Sequence, residues 1–274
     1  MHNELTLSFI GGGNMANALI GGLRARLGAA AIIHVVDPNA DALARLAQQF
    51  GVSTSTQIGA ALASSSVILL AVKPQQMKEV ALQLAPHLAG QLVISIAAGI
   101  RSADLSRWLG GHAAIVRCMP NTPALIAQGI TGMVASAGVS AEQRAAADTI
   151  LQAVGTTVWL EDETLIDAVT AVSGSGPAYV FYFLEAMQQA AQELGLTVEQ
   201  GKTLALATFA GATQLAAQSP DPIGVLRDKV TSKGGTTYAA LTSMESAGVK
   251  QSIVTAMKAA ADRGKALGEE LGAD

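Results

Sequence analysis

Two kinds of hydrophobic pattern alternate along the first half and more of the chain. Leu5–Ile10, Ile32–Val36, Val67–Val72, Leu92–Ile96 and Ala114–Met119 are short and apolar at nearly every position. A strand covered by helices on both faces has no polar side to show, so these runs predict strands of a buried parallel sheet. Between them, Asn14–Leu27, Asn39–Phe50, Gln75–Leu84 and Ala103–Leu109 carry apolar residues at helical spacing. Strand and helix in steady alternation predict an α/β domain with a doubly wound parallel sheet. A helix near Ala141–Ala153 and a strand near Thr157–Leu160 complete it.

After Glu161-Asp162-Glu163 the pattern changes, and no later run reads as a strand. Phe181, Leu184, Met187, Ala191 and Leu194 recur at helical spacing, and Gly195 supplies a stop. Thr197 with Gln200 reads as a capping box for the next helix. Asp221 with Pro222 reads as an N-cap followed by proline in the first helical position. Gly248 ends a further helix, and the last runs from about Lys250 to Leu271. The expected division is therefore an α/β domain over 1–162 and an all-helical domain over 163–274. Several of those helices are apolar on most faces, as in Leu204–Ala212, and such helices are normally buried. A domain of about 110 residues cannot bury so much apolar surface alone, which predicts homo-oligomer formation through the helical domain.

Composition narrows the partners and the compartment. The 274 residues are 50% hydrophobic, 14% charged and 4% aromatic, with a formal net charge of −4. Without a basic cluster there is no electrostatic footprint for nucleic acid. One cysteine, Cys118, excludes an internal disulfide framework and suits a reducing compartment. The start Met1-His2-Asn3-Glu4 lacks the basic character of a signal peptide. The longest apolar stretches, around Val67–Val72 and Ala178–Leu184, fall far short of the ~20 residues that span a bilayer. The expectation is a cytoplasmic protein with no membrane partner.

Candidate chemistry clusters where strands end. Gly11-Gly12-Gly13-Asn14-Met15-Ala16 follows the first strand, opens the first helix and satisfies G-x-G-x-x-A. The first glycine permits a tight turn, Gly13 lets the backbone approach a pyrophosphate, and Ala16 allows close helix–strand packing. Asp37 closes the second strand at the distance expected of a ribose-binding acid, which makes the sheet Rossmann-type and the cofactor NADPH or NADH. Asp37 favours NADH, whereas the helix start at Pro38-Asn39 offers N–H groups to a 2′-phosphate, so the choice stays open. Ala71-Val72-Lys73-Pro74 and Ile96-Ala97-Ala98-Gly99 occupy the same carboxyl edge, where open α/β sheets bind ligands. Met119-Pro120-Asn121-Thr122-Pro123 is a proline-stiffened loop holding Asn121 near that crevice. Ser173-Gly174-Ser175-Gly176-Pro177-Ala178-Tyr179 opens the first long helix of the second domain with hydroxyls and N–H groups.

A second glycine-rich loop, Thr231-Ser232-Lys233-Gly234-Gly235-Thr236-Thr237, lies between two apolar-periodic segments. Its glycines bring amides close to a ligand, and unpaired N–H groups at the helix expected to start at Thr237 form an anion cradle. A small carboxylate fits, leaving a threonine hydroxyl for the rest of the molecule. No cysteine–histidine spacing suggests a metal. His2, His34, His87 and His112 fall at the terminus, a strand start or surface segments, and Cys118 reads as a small buried hydrophobe. The absence of an evident general acid or base suits a substrate that arrives already electrophilic, such as a protonated imine.

Taken together, Phe9–Met15, Ala71–Pro74, Ile96–Gly99, Arg117–Pro123, Ser173–Tyr179 and Val230–Thr237 resemble the pyrroline-5-carboxylate reductase family over essentially the whole chain. The resemblance implies a Rossmann domain, an interlocking helical dimerisation domain, and NAD(P)H-dependent reduction of L-1-pyrroline-5-carboxylate to L-proline. It implies that Gly11–Ala16, Asp37–Asn39, Ala71–Pro74, Ile96–Ala98 and Asn121 hold the dinucleotide. Backbone amides of Ser232, Lys233, Gly234, Gly235 and Thr236, with Ser173, would hold the substrate near the dimer interface, and the Thr237 hydroxyl would contact the ring nitrogen. Lys233 departs from the proline common in the family, adding a positive charge to a more mobile loop. Two other readings are a β-hydroxyacid-type dehydrogenase, whose catalytic lysine is missing from Ser173–Leu194, and a dinucleotide-sensing protein without turnover.

Overall fold

The computed structural model describes residues 5–273, so the expectation for Met1–Glu4, with His2, lies outside the described residues. The chain runs β1 (Leu5–Ile10), α1 (Asn14–Leu27), β2 (Ala31–Val36), α2 (Ala40–Phe50), β3 (Ser53–Ser55) and β4 (Val67–Leu70). It continues through α3 (Met77–Leu84), β5 (Leu92–Ser95), α4 (Ser102–Trp108), β6 (Ile115–Met119), β7 (Gly129–Ala135), α5 (Ala141–Leu151) and β8 (Gly155–Trp159). After β8 come the short α6 (Ile166–Val169), then α7 (Gly176–Glu193), α8 (Val198–Gln218), α9 (Ile223–Lys229), α10 (Thr236–Ser246) and α11 (Val249–Gly272).

The strands form one eight-stranded sheet in the order β3-β2-β1-β4-β5-β6-β7-β8. The order reverses direction at β1, which pairs in parallel with β2 (Leu5↔Ala31) and with β4 (Leu7↔Val67). Alternating side chains feed two cores, as a strand period of two demands. Leu7, Phe9, Leu69 and Ile94 join Leu19, Leu23 and Ile150 in one cluster, and Ile10, Ile68, Leu70 and Val93 join Met77, Leu84 and Trp108 in the other. Helices on both faces leave the central strands no polar side, hence their unbroken apolar runs.

Two strands depart from expectation. β3 reads Ser-Thr-Ser and carries no hydrophobic pattern. It is tied to β2 through His34, whose Nδ1 and Nε2 lie 2.9 Å from Ser53 Oγ and 3.0 Å from Ser55 Oγ. Burial lowers the His34 pKa and so favours the neutral ring, which can accept at one nitrogen and donate at the other. β7 pairs antiparallel with β6, so the sheet is not parallel throughout. Its glycines, Gly129 and Gly132, dilute the strand pattern that would have announced it.

Packing divides the chain into two compact units: residues up to Ser175 together with those from Ala259 on, and Gly176–Lys258. In the first unit β6 carries a buried cation. Arg117 Nη1 donates to Glu163 Oε1 at 2.9 Å, Nη2 lies 3.8 Å from Asp167 Oδ1, and its side chain is only 5% exposed. Glu163 also accepts the Ser102 N–H at 2.7 Å, tying the start of α4 to the segment that follows β8.

In the second unit the capping box appears as expected, Gln200 N donating to Thr197 Oγ1 at 3.2 Å and Thr197 N to Gln200 Oε1 at 2.9 Å. The α9 cap does not. Pro222 is the N-cap and Ile223 the first helical residue, while the Asp221 carboxylate pairs with Lys229. Helices α9 and α10 bury none of their residues in the single chain. Phe181, Tyr182 and Leu194 are 62%, 74% and 83% exposed, which a folded monomer rarely tolerates in one region.

Removing the main partner of the buried Arg117 guanidinium should be costly. Glu163→Ala is expected to lower unfolding free energy by about 3 kcal/mol, the low end for a broken buried pair because part of Glu163 is solvated. Denaturant melts of the two proteins measure it, and equal midpoints at equal slope would show that the pair contributes nothing.

Candidate functional site

The site begins where β1 ends. The Gly11 N–H donates to Val36 O at 2.8 Å and the Ala71 N–H to Ile10 O at 2.8 Å, so the ends of β1, β2 and β4 are joined around one residue. Gly11 has φ +103°, and a Cβ there would stand 2.7 Å from Ala71 O. Both facts exclude a side chain. The next amide, Gly12 N–H, donates to Asp37 Oδ2 at 2.7 Å, and Asn39 N–H donates to Asp37 Oδ1 at 2.8 Å. Asp37 thus braces the glycine turn against the end of β2. Asn39 caps α2, its Oδ1 accepting from Ala42 N at 3.1 Å.

Gly13 is the N-cap of α1, and no side chain caps that helix. Nothing lies within 4 Å of where a Gly13 Cβ would stand. The start of α1 is thus uncapped and open beside Gly13, the arrangement that receives a pyrophosphate. Beside it, at the β1–β4 switch point, opens a cavity of about 910 Å³. Gly11 and Gly13, Asp37, Pro38 and Asn39, and Ala71, Val72 and Lys73 all line it, as expected from sequence. The uncapped helix start and the Asp37 carboxylate fit the phosphates and a ribose of a dinucleotide.

Other walls were not foreseen. Thr56, Gln57 and Ile58 follow the polar edge strand β3, for which no pattern exists in the sequence. Gln76, Glu79, Val80 and Gln83 also line the cavity. Their spacing is that of one helix face, and reading the helix after Lys73-Pro74 for its face toward the sheet edge would have found them.

Of the remaining candidates, Gly12 and Pro74, with Asn14, Met15 and Ala16 in the first turn of α1, adjoin these residues without lining the cavity, and Ile96, Ala97 and Ala98 beyond β5 do not line it either. The Ile96 N–H donates to Leu70 O at 3.3 Å, keeping this loop beside the end of β4. Asn121 spends its amide within the protein, Nδ2 donating to Ser173 O at 3.2 Å and Oδ1 accepting from Ile130 N at 3.0 Å. Ser173 lies in a π-helical turn, and its hydroxyl donates to Val169 O at 3.0 Å. Cys118 is buried on β6, and burial pushes its thiol well above the ordinary range, so it offers no thiolate.

The second glycine loop belongs to the other unit. Gly235 N–H donates to Ser232 O at 3.0 Å, closing a turn with Gly234 at φ +74°. In a turn with positive φ at its third residue, the second needs only an ordinary negative φ, which proline pre-sets and lysine also adopts here. Helix α10 starts at Thr236, one residue earlier than expected, with Gly235 as N-cap and no side-chain cap. Among the described residues the hydroxyls of Ser232, Thr236 and Thr237 have no hydrogen-bond partner, although Thr231 Oγ1 donates to Arg227 O at 2.6 Å. Helix α10 therefore opens with unmet amides and three free hydroxyls.

Comparison with known proteins agrees with both halves. A family model described as pyrroline-5-carboxylate reductase dimerisation matches residues 163–267, and one described as NADP oxidoreductase, coenzyme F420-dependent, matches residues 6–99. The pyrroline-5-carboxylate reductase of Pseudomonas aeruginosa is 48% identical over 97% of this chain and 98% of its own length. The solved structure of a pyrroline-5-carboxylate reductase from Coxiella burnetii superposes with a TM-score of 0.91 at 38% identity, covering 97% of this chain and 99% of that one. That of the Plasmodium falciparum pyrroline carboxylate reductase with NADP bound gives 0.85 at 29% identity, covering 96% and 98%.

The Gly11 turn generates a direct test. Gly11→Ala forces a side chain into a backbone carbonyl and a residue into a strained conformation that costs about 1–3 kcal/mol. The dinucleotide Kd, followed by NADH fluorescence, should rise roughly ten- to a hundredfold. An unchanged Kd would remove the turn from the binding site.

Proposed function

This chain belongs to the pyrroline-5-carboxylate reductase family, and from that premise we propose how its residues divide the work. The enzyme is an NAD(P)H-dependent oxidoreductase that reduces the C=N bond of L-1-pyrroline-5-carboxylate to L-proline, and it works as a homo-oligomer. When bound, the dinucleotide supplies hydride from nicotinamide C4 to C5 of the protonated imine. The residues of this chain orient the partners, exclude alternatives and handle the proton.

The observation that carries the substrate assignment is the bare start of α10, with unmet amides and free hydroxyls on consecutive residues. Backbone N–H groups of Ser232, Lys233, Gly234 and Thr236 hold the carboxylate, Gly235 shapes the cradle by giving its own N–H to Ser232 O, and the Lys233 ammonium adds attraction over a longer range. The Thr237 hydroxyl contacts the ring nitrogen, fixing the imine plane and relaying its proton. Ser173 completes the substrate contacts. Gly11–Ala16 hold the pyrophosphate, Ala71–Pro74 and Ile96–Ala98 follow the dinucleotide along the sheet edge, and Asn121 stiffens the loop beyond.

Asp37 keeps a lone pair on each oxygen after accepting from Gly12 and Asn39, which is sufficient for a ribose 2′-hydroxyl. Its charge, with Glu79 in the same cavity against a single Lys73, opposes a 2′-phosphate and favours NADH. The dinucleotide-binding part is 1–162 and the dimerisation and substrate part 163–274, a division supported by where the dimerisation family model begins. A second copy of the chain covers the exposed apolar residues of α7, α9 and α10. Among the described residues no helix is long and apolar enough to cross a membrane. With one buried, unpaired cysteine, the cytoplasm is the compartment proposed.

Thr237→Val should lower kcat by roughly one to two orders of magnitude, the range for one acid–base or orienting contact. NAD(P)H oxidation with pyrroline-5-carboxylate measures it, and wild-type turnover would take Thr237 out of the mechanism. In the same assay Asp37→Ser should raise the NADPH/NADH ratio of kcat/KM, and a constant ratio would mean that Asp37 does not face the ribose.

A further inference from the structure

The end of α11 packs against the loop that follows β5. Gly99 has φ +75°, and a Cβ built on it would lie 3.1 Å from Leu267 Cβ, 3.3 Å from Leu267 C and 3.4 Å from Gly268 N. Reciprocally, a Cβ on Gly268 would lie 3.1 Å from Gly99 O and 3.2 Å from Arg101 Nε. Gly268 is buried, Leu271 packs on the second core cluster, and Arg107 Nη2 donates to Gly272 O at 2.8 Å. The ion pair Arg101–Glu269, at 3.7 Å between exposed side chains, adds little. Backbone thus meets backbone, flanked by Leu267 Cβ and the Arg101 side chain, at the residue that ends Ile96-Ala97-Ala98-Gly99. Because Gly99 sits in a conformation that other residues resist, the loop has a single bend, and the helix end closes the space behind it.

We propose that the carboxyl-terminal end of α11 positions the Ile96–Gly99 loop for hydride transfer, with Gly268 as a positioning residue. The proposal rests on the reading that Ile96–Ala98 follow the dinucleotide along the sheet edge, where small residues leave room for its nicotinamide ring. No helix atom needs to touch substrate or cofactor. A rigid prop fixes the loop within the tenths of an ångström to which transfer distance is sensitive, and binding of the distal half of the dinucleotide does not depend on it.

Gly268→Ala tests this gently, since its methyl group demands a shift of only a few tenths of an ångström from Gly99. The expected result is a kcat lowered roughly fivefold. The primary isotope effect with 4-deuterated NADH should be larger, while dinucleotide Kd and imine KM stay within about twofold. Gly268→Val should extend the same trend, and if it fails to fold the alanine variant decides. Gly264→Ala is the control: it makes the same change on the same helix, but its Cβ meets Asp167 at an ordinary 3.4 Å, and its kcat should equal the wild type's. Wild-type kcat and isotope effect in a folded Gly268→Ala would overturn the proposal, and so would an equal loss in Gly264→Ala, which would assign the effect to the helix itself. Ala98→Val separates the two layers of argument. If it leaves kcat, isotope effect and Kd untouched, the reading of the loop fails; if it perturbs them while Gly268→Ala does not, only the role of the helix fails.

Discussion

At the carboxyl end of β1 three chain segments meet within the width of one residue. The amide of Gly11 reaches β2, the carbonyl of Ile10 receives the segment leaving β4, and the carbonyl of Ala71 occupies the volume a side chain would need. That closure decides where α1 begins, and the direction of α1 decides where its unmet amides point. Asp37, engaged by Gly12 on one oxygen and Asn39 on the other, ties the same turn to the start of α2. A cavity opens there because the strand order reverses at β1, so helices on either side diverge from one edge.

The second unit obeys a different constraint. Its helices are held by local devices such as the Thr197–Gln200 box and by contacts between neighbours such as the Phe183–Phe209 rings of α7 and α8 at 6.4 Å, with few buried residues between them. A helical unit this apolar and this exposed gains its missing burial from another copy of the chain. The loop proposed to hold the substrate leads into α10, one of the helices that bury nothing alone. On that proposal, assembly and substrate binding draw on the same stretch of chain. The buried guanidinium of Arg117, bridging β6 to Glu163 and Asp167, gives the first unit its own anchorage where the sheet ends.

How much could be read beforehand depended on whether a residue's role was local. Gly11, Gly13, Asp37 and Lys73 announce themselves because each stands at a strand end, where a turn or a helix start has only a few workable residue types. The Thr231–Thr237 loop is legible for the same reason. Thr56, Gln57 and Ile58 are not, since they enter the cavity because the polar strand β3 is held against β2 by its backbone ladder and by His34. Asp221 looked like a cap and instead pairs with Lys229, a contact eight residues away that no local rule weighs. β7 was hidden by its glycines and by an antiparallel pairing that hydrophobicity does not encode.

Periodicity and turn chemistry alone determined that this protein alternates strands and helices, that its first helix opens on a glycine turn, and that its second part is helical and short of burial. These are properties of neighbouring residues, and free energy at that scale depends on backbone preference and side-chain period. Only the tertiary structure decided which strand lies at each edge, that the segment after β3 joins the cavity, and that the end of α11 packs against the loop after β5. Such contacts join residues far apart in sequence, and they are set by how whole elements pack.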